Sequence, residues 1–251
     1  MTTVAVLADP PDHDTVFPGP VANGVLSGDE AAALYAALLG DACRAVEASG
    51  GDLLVNYRSP DDVTDEEARE RVASAAAPAL AAPEAARYEV QVGSSRSARV
   101  GNTVTHLLER EGVRSAAVLD PRVALCERRH VDSAAMKLRQ SEVVLGPAYG
   151  GRVWYAAFTE PVDFTDAFDG PPLGTLTRRG RAAEFDVDFV ETLPLVESER
   201  DLASAVAQVR ARVHAGKPVG PETADAVATL GLDTDRAGDL VVGADAATDS
   251  S

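Results

Sequence analysis

The sequence predicts a three-layer α/β domain built on a mostly parallel sheet. Two observations carry this. Short apolar runs of strand length alternate with longer helix-patterned segments through most of the chain. The helix segments also open on capping signals and close on glycine.

Taken in order, Val4-Ala5-Val6-Leu7-Ala8 reads as a short buried strand. Ser27-Gly28-Asp29-Glu30 has capping-box spacing and opens an alanine-rich helix over 29–48, stopped by Gly50-Gly51. A strand follows over 52–57. The spacing of Thr64 and Glu67 repeats the capping box and starts a helix toward residue 77. Residues 88–92 alternate as a strand, 101–110 are helical, and 115–119 form a strand that runs into Asp120-Pro121. A short helix over 131–139, strands over 142–145 and 152–158, and a further strand within 183–192 come next. The run Arg178-Arg179-Gly180-Arg181 is the one basic cluster and reads as a solvated loop. Leu202, Val206, Val209 and Val213 make a helical stripe over 197–212. Residues 214–220 read as a linker and 221–230 as a last helix with proline in its first turn. The expected organisation is a domain over 1–215, a helical extension over 216–232 and a disordered acidic tail over 233–251.

The 251 residues allow one large domain or two small ones, and are enough to bury a real core. Ordinary apolar and charged fractions, 45% and 25%, exclude wholesale disorder and fibrous classes. No apolar run reaches the ~18 residues of a membrane span. No Lys or Arg precedes the apolar run 4–8, which argues against a signal peptide and for a cytoplasmic location. Forty acids against 23 bases give a net charge of −17, and only Lys137 and Lys217 among the bases are lysine. That balance is expected of a protein adapted to a high-salt cytoplasm, where salt screens self-repulsion. The same field repels nucleic acid and anionic membrane.

Cys43 and Cys126 lack C-x-x-C spacing and read as buried thiols. His13, His106, His130 and His214 fall at no metal-binding spacing. Dinucleotide, Walker and nucleophile-elbow glycine motifs are all missing, although Gly93-Ser94-Ser95-Arg96-Ser97 approaches the last. In parallel sheets ligands bind beyond the carboxyl ends of the strands, so chemistry is expected in the loops after Ala8, Tyr57, Val92, Leu119 and Leu145.

Four stretches, in order, resemble one family. They are Leu26-Ser27-Gly28-Asp29-Glu30-Ala31 continuing to Asp41; Gln91-Val92-Gly93-Ser94-Ser95-Arg96-Ser97-Ala98-Arg99; Val118-Leu119-Asp120-Pro121 with Leu145-Gly146-Pro147-Ala148-Tyr149-Gly150-Gly151; and Leu193-Pro194 with Glu197-Ser198-Glu199-Arg200-Asp201-Leu202. The family is the CofC-like proteins of glycosyltransferase-A (GT-A) type, whose relatives include guanylyltransferases and sugar-nucleotide transferases. The resemblance covers about residues 4–212, and Leu-Gly-Pro-Ala followed by Gly-Gly is its most specific piece.

The resemblance implies a nucleotide-diphospho-sugar transferase fold and a nucleotide or nucleotide sugar as ligand. A diphosphate leaving group needs a divalent cation or several bases, so Mg²⁺ or Mn²⁺ is the implied cofactor. Asp120 stands where a metal carboxylate is expected, and Glu197, in place of the family's metal-side Asp, is the candidate for a second. Arg99 stands where a family polar residue is expected. Arg96, in place of the Gln-loop glycine, Gly150 and Gly151 are the other nucleotide-contact candidates, with Arg122 and with Arg152, in place of a family aromatic, as further basic candidates. Each residue also has a plainer reading. Asp120 can cap the turn at Pro121, Glu197 can favour a helix start, and Arg99 can be a solvated helix residue.

The departures matter. The family's basic group after the first strand is missing, since residues 9–25 contain no base. Tyr149 replaces the acid before Gly-Gly, and Ser94 replaces the acid of the Gln loop. Two functions are therefore carried forward: a metal-assisted glycosyl- or nucleotidyltransferase, and a non-catalytic ligand- or partner-binding protein on the same fold.

Overall fold

The computed structural model describes residues 1–11 and 16–243. Asp12, His13 and Asp14 of the loop after the first strand lie outside the described residues, as do 244–251 of the tail.

The main sheet has seven strands: β1 (Thr2–Ala8), β2 (Asp52–Tyr57), β3 (Arg87–Val90), β4 (Ser115–Leu119), β5 (Val143–Pro147), β6 (Val153–Phe158) and β7 (Val187–Phe189). Their order is β3-β2-β1-β4-β6-β5-β7. All pairings are parallel except those of β6, which runs antiparallel to both β4 and β5. The carboxyl ends of β1 to β5 therefore lie along one edge. The chain steps outward from β1 to β3, then returns to place β4 on the other side of β1. That reversal makes β1/β4 the topological switch point, where open α/β sheets bind their ligands.

The helices are α1 (Pro18–Ala22), α2 (Gly28–Glu47), α3 (Asp65–Ala76), α4 (Arg96–Thr105), α5 (Arg128–Lys137), α6 (Pro172–Ala182), α7 (Glu199–His214) and α8 (Pro221–Thr229). They cover both faces of the sheet. Leu34, Leu38 and Leu39 of α2, Val72 of α3, Val131 of α5 and Val206 of α7 pack against Val4, Val6 and Val55. On the other face Val100 and Val104 of α4 and Leu176 of α6 pack against Ala5, Leu54, Val118 and Leu145. Adjacent residues of β1 thus point into different layers, as a pleated strand requires. The capping boxes at Ser27/Glu30 and Thr64/Glu67 are both formed, and Ser198/Asp201 makes a third at α7. Among the described residues no helix is long and apolar enough to cross a membrane.

Three expectations are corrected. The basic run Arg178–Arg181 is not a loop; it lies in α6, where the Gly180 backbone packs against Val143 and Val187. The helix expected over 101–110 begins at Arg96 on an N-cap from Ser95 and ends in a π turn over His106–Arg110. The tail is not disordered from Asp233. Residues 232–242 form an antiparallel hairpin, β8 (Leu232–Thr234) with β9 (Leu240–Val242), and Leu232 and Leu240 bury their side chains in the α2 core. Its acids hide that amphipathic face, and Arg210 of α7 fixes it through the Leu232 carbonyl and the Asp233 carboxylate.

Candidate functional site

Five loops converge at the carboxyl edge. Asp120 leaves β4 directly and is buried, with 4% of its surface exposed. Its Oδ1 accepts hydrogen bonds from the Arg122 backbone N–H and Nε, both at 3.0 Å. Its Oδ2 accepts from Arg122 Nη2 at 2.7 Å and from Arg96 Nη2 at 2.6 Å. Burial opposes ionisation, but the Arg122 and Arg96 guanidiniums outweigh it and hold the carboxyl well below the usual range. Arg122 is held charged in return: burial works against its charge, and Asp120 and Glu197 more than offset that.

The pairing continues outward. Arg122 Nη2 also reaches Glu197 Oε1 at 2.8 Å. Glu197 Oε2 accepts from Arg152 Nη1 at 3.0 Å, and Arg152 forks onto Asp201 at 2.7 and 2.9 Å. Asp201 is the capping acid of α7, so the chain of charges is anchored on a helix N-terminus. Arginine and carboxylate alternate from Arg96 through Asp120, Arg122, Glu197 and Arg152 to Asp201.

The end of β1 is also built with arginine. Asp9 Oδ1 accepts from Arg58 Nε at 2.5 Å, and the Asp9 N–H donates to the buried Tyr35 hydroxyl at 2.7 Å. Arg58 thus brings to this loop a base that residues 9–25 themselves lack. Arg99 stands beside it on α4, half-buried, with no carboxylate within ion-pair distance among the described residues. Burial pulls its pKa down, Asp9 pushes it up, and Arg58 and Arg96 pull it down again. Gly150 and Gly151 form the turn between β5 and β6 with φ of 71° and 73°. That left-handed backbone is why glycine stands there. Gly151 also abuts Pro171, where a Cβ would come within 3.0 Å.

Asp120, Glu197, Arg96, Arg99, Arg122, Arg152, Gly150 and Gly151 therefore all lie at this edge, but the two acids have different partners than expected. Asp120 and Glu197 do not face a shared vacant position; Arg122 sits between them. Four N–H donors fill the oxygens of Asp120, and each oxygen of Glu197 accepts one hydrogen bond from an arginine. Asp120 therefore has no free lone pair for a hard cation, and a cation beside Glu197 would face the Arg122 and Arg152 guanidiniums. Among the described residues one group of possible metal ligands comes together, Glu89, His106 and Glu111 within 4.8 Å of one another, and Arg87 donates to both of its glutamates. The Asp9–Arg58 and Arg152–Asp201 pairs were missed in the sequence, because no local spacing joins residues 49 apart.

A cavity of about 110 Å³ opens on this network, walled by Arg96, Arg152, Val153, Phe168, Leu195 and Glu197. Arg96 lies over the Phe168 ring at 5.6 Å, which fixes the guanidinium plane. Larger hollows flank strand β3, about 590 Å³, and the amino edge of the sheet, about 810 Å³. The switch-point edge is the better candidate despite its smaller cavity, because the buried charges converge there.

No protein-family model matches the sequence, and no curated protein does. A solved structure shares the fold, and two others align at lower scores. A candidate nucleotide-diphospho-sugar transferase from Desulfovibrio desulfuricans G20 aligns with a TM-score of 0.73 at 16% identity, covering 91% of this chain and 94% of that one. A CMP:2-keto-3-deoxy-manno-octonic acid synthetase complexed with CTP aligns at 0.49 and 11% identity, covering 86% and 99%. A cytidylyltransferase from Leptospira borgpetersenii aligns at 0.49 and 10%, covering 91% and 94%. The chain is thus similar in fold to nucleotide-diphospho-sugar transferase-like α/β proteins, as the sequence predicts.

Proposed function

We propose that this chain binds a nucleotide or nucleotide sugar at the carboxyl edge of its sheet, as a member of the nucleotidyl- and sugar-transferase-like fold class. The observation that carries the reading is Arg99. It is a half-buried arginine without an acid partner among the described residues, beside the switch point, in a chain of net charge −17. A cation kept there against burial is suited to an anionic ligand. Arg58 and Arg96 extend the same basic surface, and the fold likeness supports the ligand class. The metal-ligand role first expected of Asp120 and Glu197 is not carried forward, because arginines and a backbone N–H fill Asp120 and two guanidiniums flank Glu197.

A second reading, binding without turnover, is favoured by one observation. Asp9, Asp120, Glu197 and Asp201 are each paired with arginine, which leaves none of them free as a general base.

The test is a thermal-shift screen of nucleoside triphosphates, diphosphates and nucleotide sugars, with product analysis of each hit. A ligand that binds the folded state raises Tm by mass action. A rise with at least one class supports the reading, and no shift with any class overturns it. Unchanged ligand after prolonged incubation supports the non-catalytic form.

A further inference from the structure

We infer that this edge seats the phosphate or diphosphate group of its ligand without a divalent cation, the Arg122 guanidinium sitting between Asp120 and Glu197. The inference rests on the nucleotide reading above and adds what neutralises the ligand's charge.

Three observations carry it. The first is saturation. Asp120 accepts four hydrogen bonds from Arg122 and Arg96, and each oxygen of Glu197 accepts one, from Arg122 and Arg152. A cation entering here would displace guanidiniums already held at 2.6 to 3.0 Å and face their repulsion. The second is spare donor capacity. Among the described residues Arg122 Nη1, Arg96 Nε and Nη1, and all of the Arg99 guanidinium have no hydrogen-bond acceptor. Guanidinium forks match phosphate oxygens, so these groups can donate to the ligand; Asp120, Glu197 and Asp201 balance Arg96, Arg122 and Arg152, and Arg99 adds the net positive charge. Arg96 is the accessible member, its side chain 37% exposed, and Asp120 and Phe168 hold its plane. The third is space. The 110 Å³ cavity is bounded by Arg96 and Arg152, and its wall includes Pro172 in the first turn of α6. That eleven-residue helix has no side-chain cap, so the positive end of its dipole adds to the arginines. Glu197 is the one acid on the wall, and it is ion-paired to Arg122 and Arg152, which it shares with Asp120 and Asp201.

Inorganic pyrophosphate titrated calorimetrically into the full chain separates the possibilities, with EDTA in one arm and millimolar Mg²⁺ in the other. The inference predicts binding in EDTA at least as tight as in Mg²⁺. The double variant Asp120→Asn/Arg122→Gln removes the buried pair together and should weaken binding by about tenfold or more. If that variant lacks a melting transition, Arg96→Gln, on a more exposed side chain, gives the same readout. Binding seen only with Mg²⁺ overturns the cation-free seat and leaves the nucleotide reading standing. Nucleotide binding without pyrophosphate binding overturns this inference alone. Failure of both ligands in both arms overturns the inference together with the reading it rests on. Unchanged affinity in both variants overturns it as well.

Discussion

Arg122 closes a two-pronged fork on Asp120, Nε to Oδ1 at 3.0 Å and Nη2 to Oδ2 at 2.7 Å, two residues along the chain. The turn at Pro121 makes this possible by bending the chain back on the end of β4. An acid that reads in the sequence as a free ligand or a simple turn cap is thereby committed to a salt bridge.

Removing that acid should be costly. Asp120→Asn leaves Arg122 largely buried opposite a neutral partner, and breaking a buried pair from one side costs about 3 kcal/mol. The pH dependence follows from the depressed carboxyl. Its contribution is fully present above the unfolded value of about 3.9 and is lost as pH falls toward the lower folded value. Thermal or urea melts should show the variant less stable at neutral pH and the gap to wild type narrowing in acid. Equal midpoints at neutral pH would show the pair to be energetically idle.

Asp41, in the middle of α2, caps α8 from outside. Its carboxylate accepts the N–H groups of Glu222 and Thr223 at 3.3 and 2.7 Å, and Gly220 lies against it. A Cβ at Gly220 would fall 2.1 Å from Asp41 Oδ2, so Gly220→Ala should destabilise by about 2 kcal/mol through overpacking. Burial raises the Asp41 pKa, and the N–H bonds and Arg44 only partly offset that. Relative to Asp41→Asn, wild type should therefore lose stability as pH rises from about 4 through the raised value. Melts of both variants against pH check the two claims.

Truncation after Gly231 should destabilise the fold by about 3 kcal/mol or more. It removes the buried side chains of Leu232 and Leu240 and opens a cavity over α7 and α8. An unchanged urea midpoint would show the hairpin to be ornamental.

The charge excess predicts that stability rises with salt. With −17 spread over the chain, melts in about 0.1 M and about 2 M KCl should give the higher midpoint in the second. A higher midpoint at low salt would remove the high-salt expectation.

What was legible in the sequence was local. The Ser27/Glu30 and Thr64/Glu67 boxes are written at a spacing of three, and the apolar runs of β1, β2 and β4 announce buried strands. The antiparallel run of β6 was not legible, because an apolar strand carries no mark of its direction. The site was legible only in part. Asp120 and Arg96 could be placed on the ligand edge, but their contact, across 24 residues, depends on how two loops meet over the sheet. Leu232 and Leu240 were concealed for a similar reason. Two isolated apolar residues among acids show their shared face only when the hairpin closes.

The most direct test of the account reverses one charge at each edge of the sheet. Arg99→Glu lies at the carboxyl edge; Arg139→Glu lies beside the hollow at the amino edge. With the nucleotide that gives the largest thermal shift, titration should show the first variant losing about tenfold or more in affinity. The second should stay within about twofold of wild type, as expected of an exposed charge away from the ligand. Unchanged affinity in Arg99→Glu, or an equal loss in both, would contradict the placement of the ligand at the switch point.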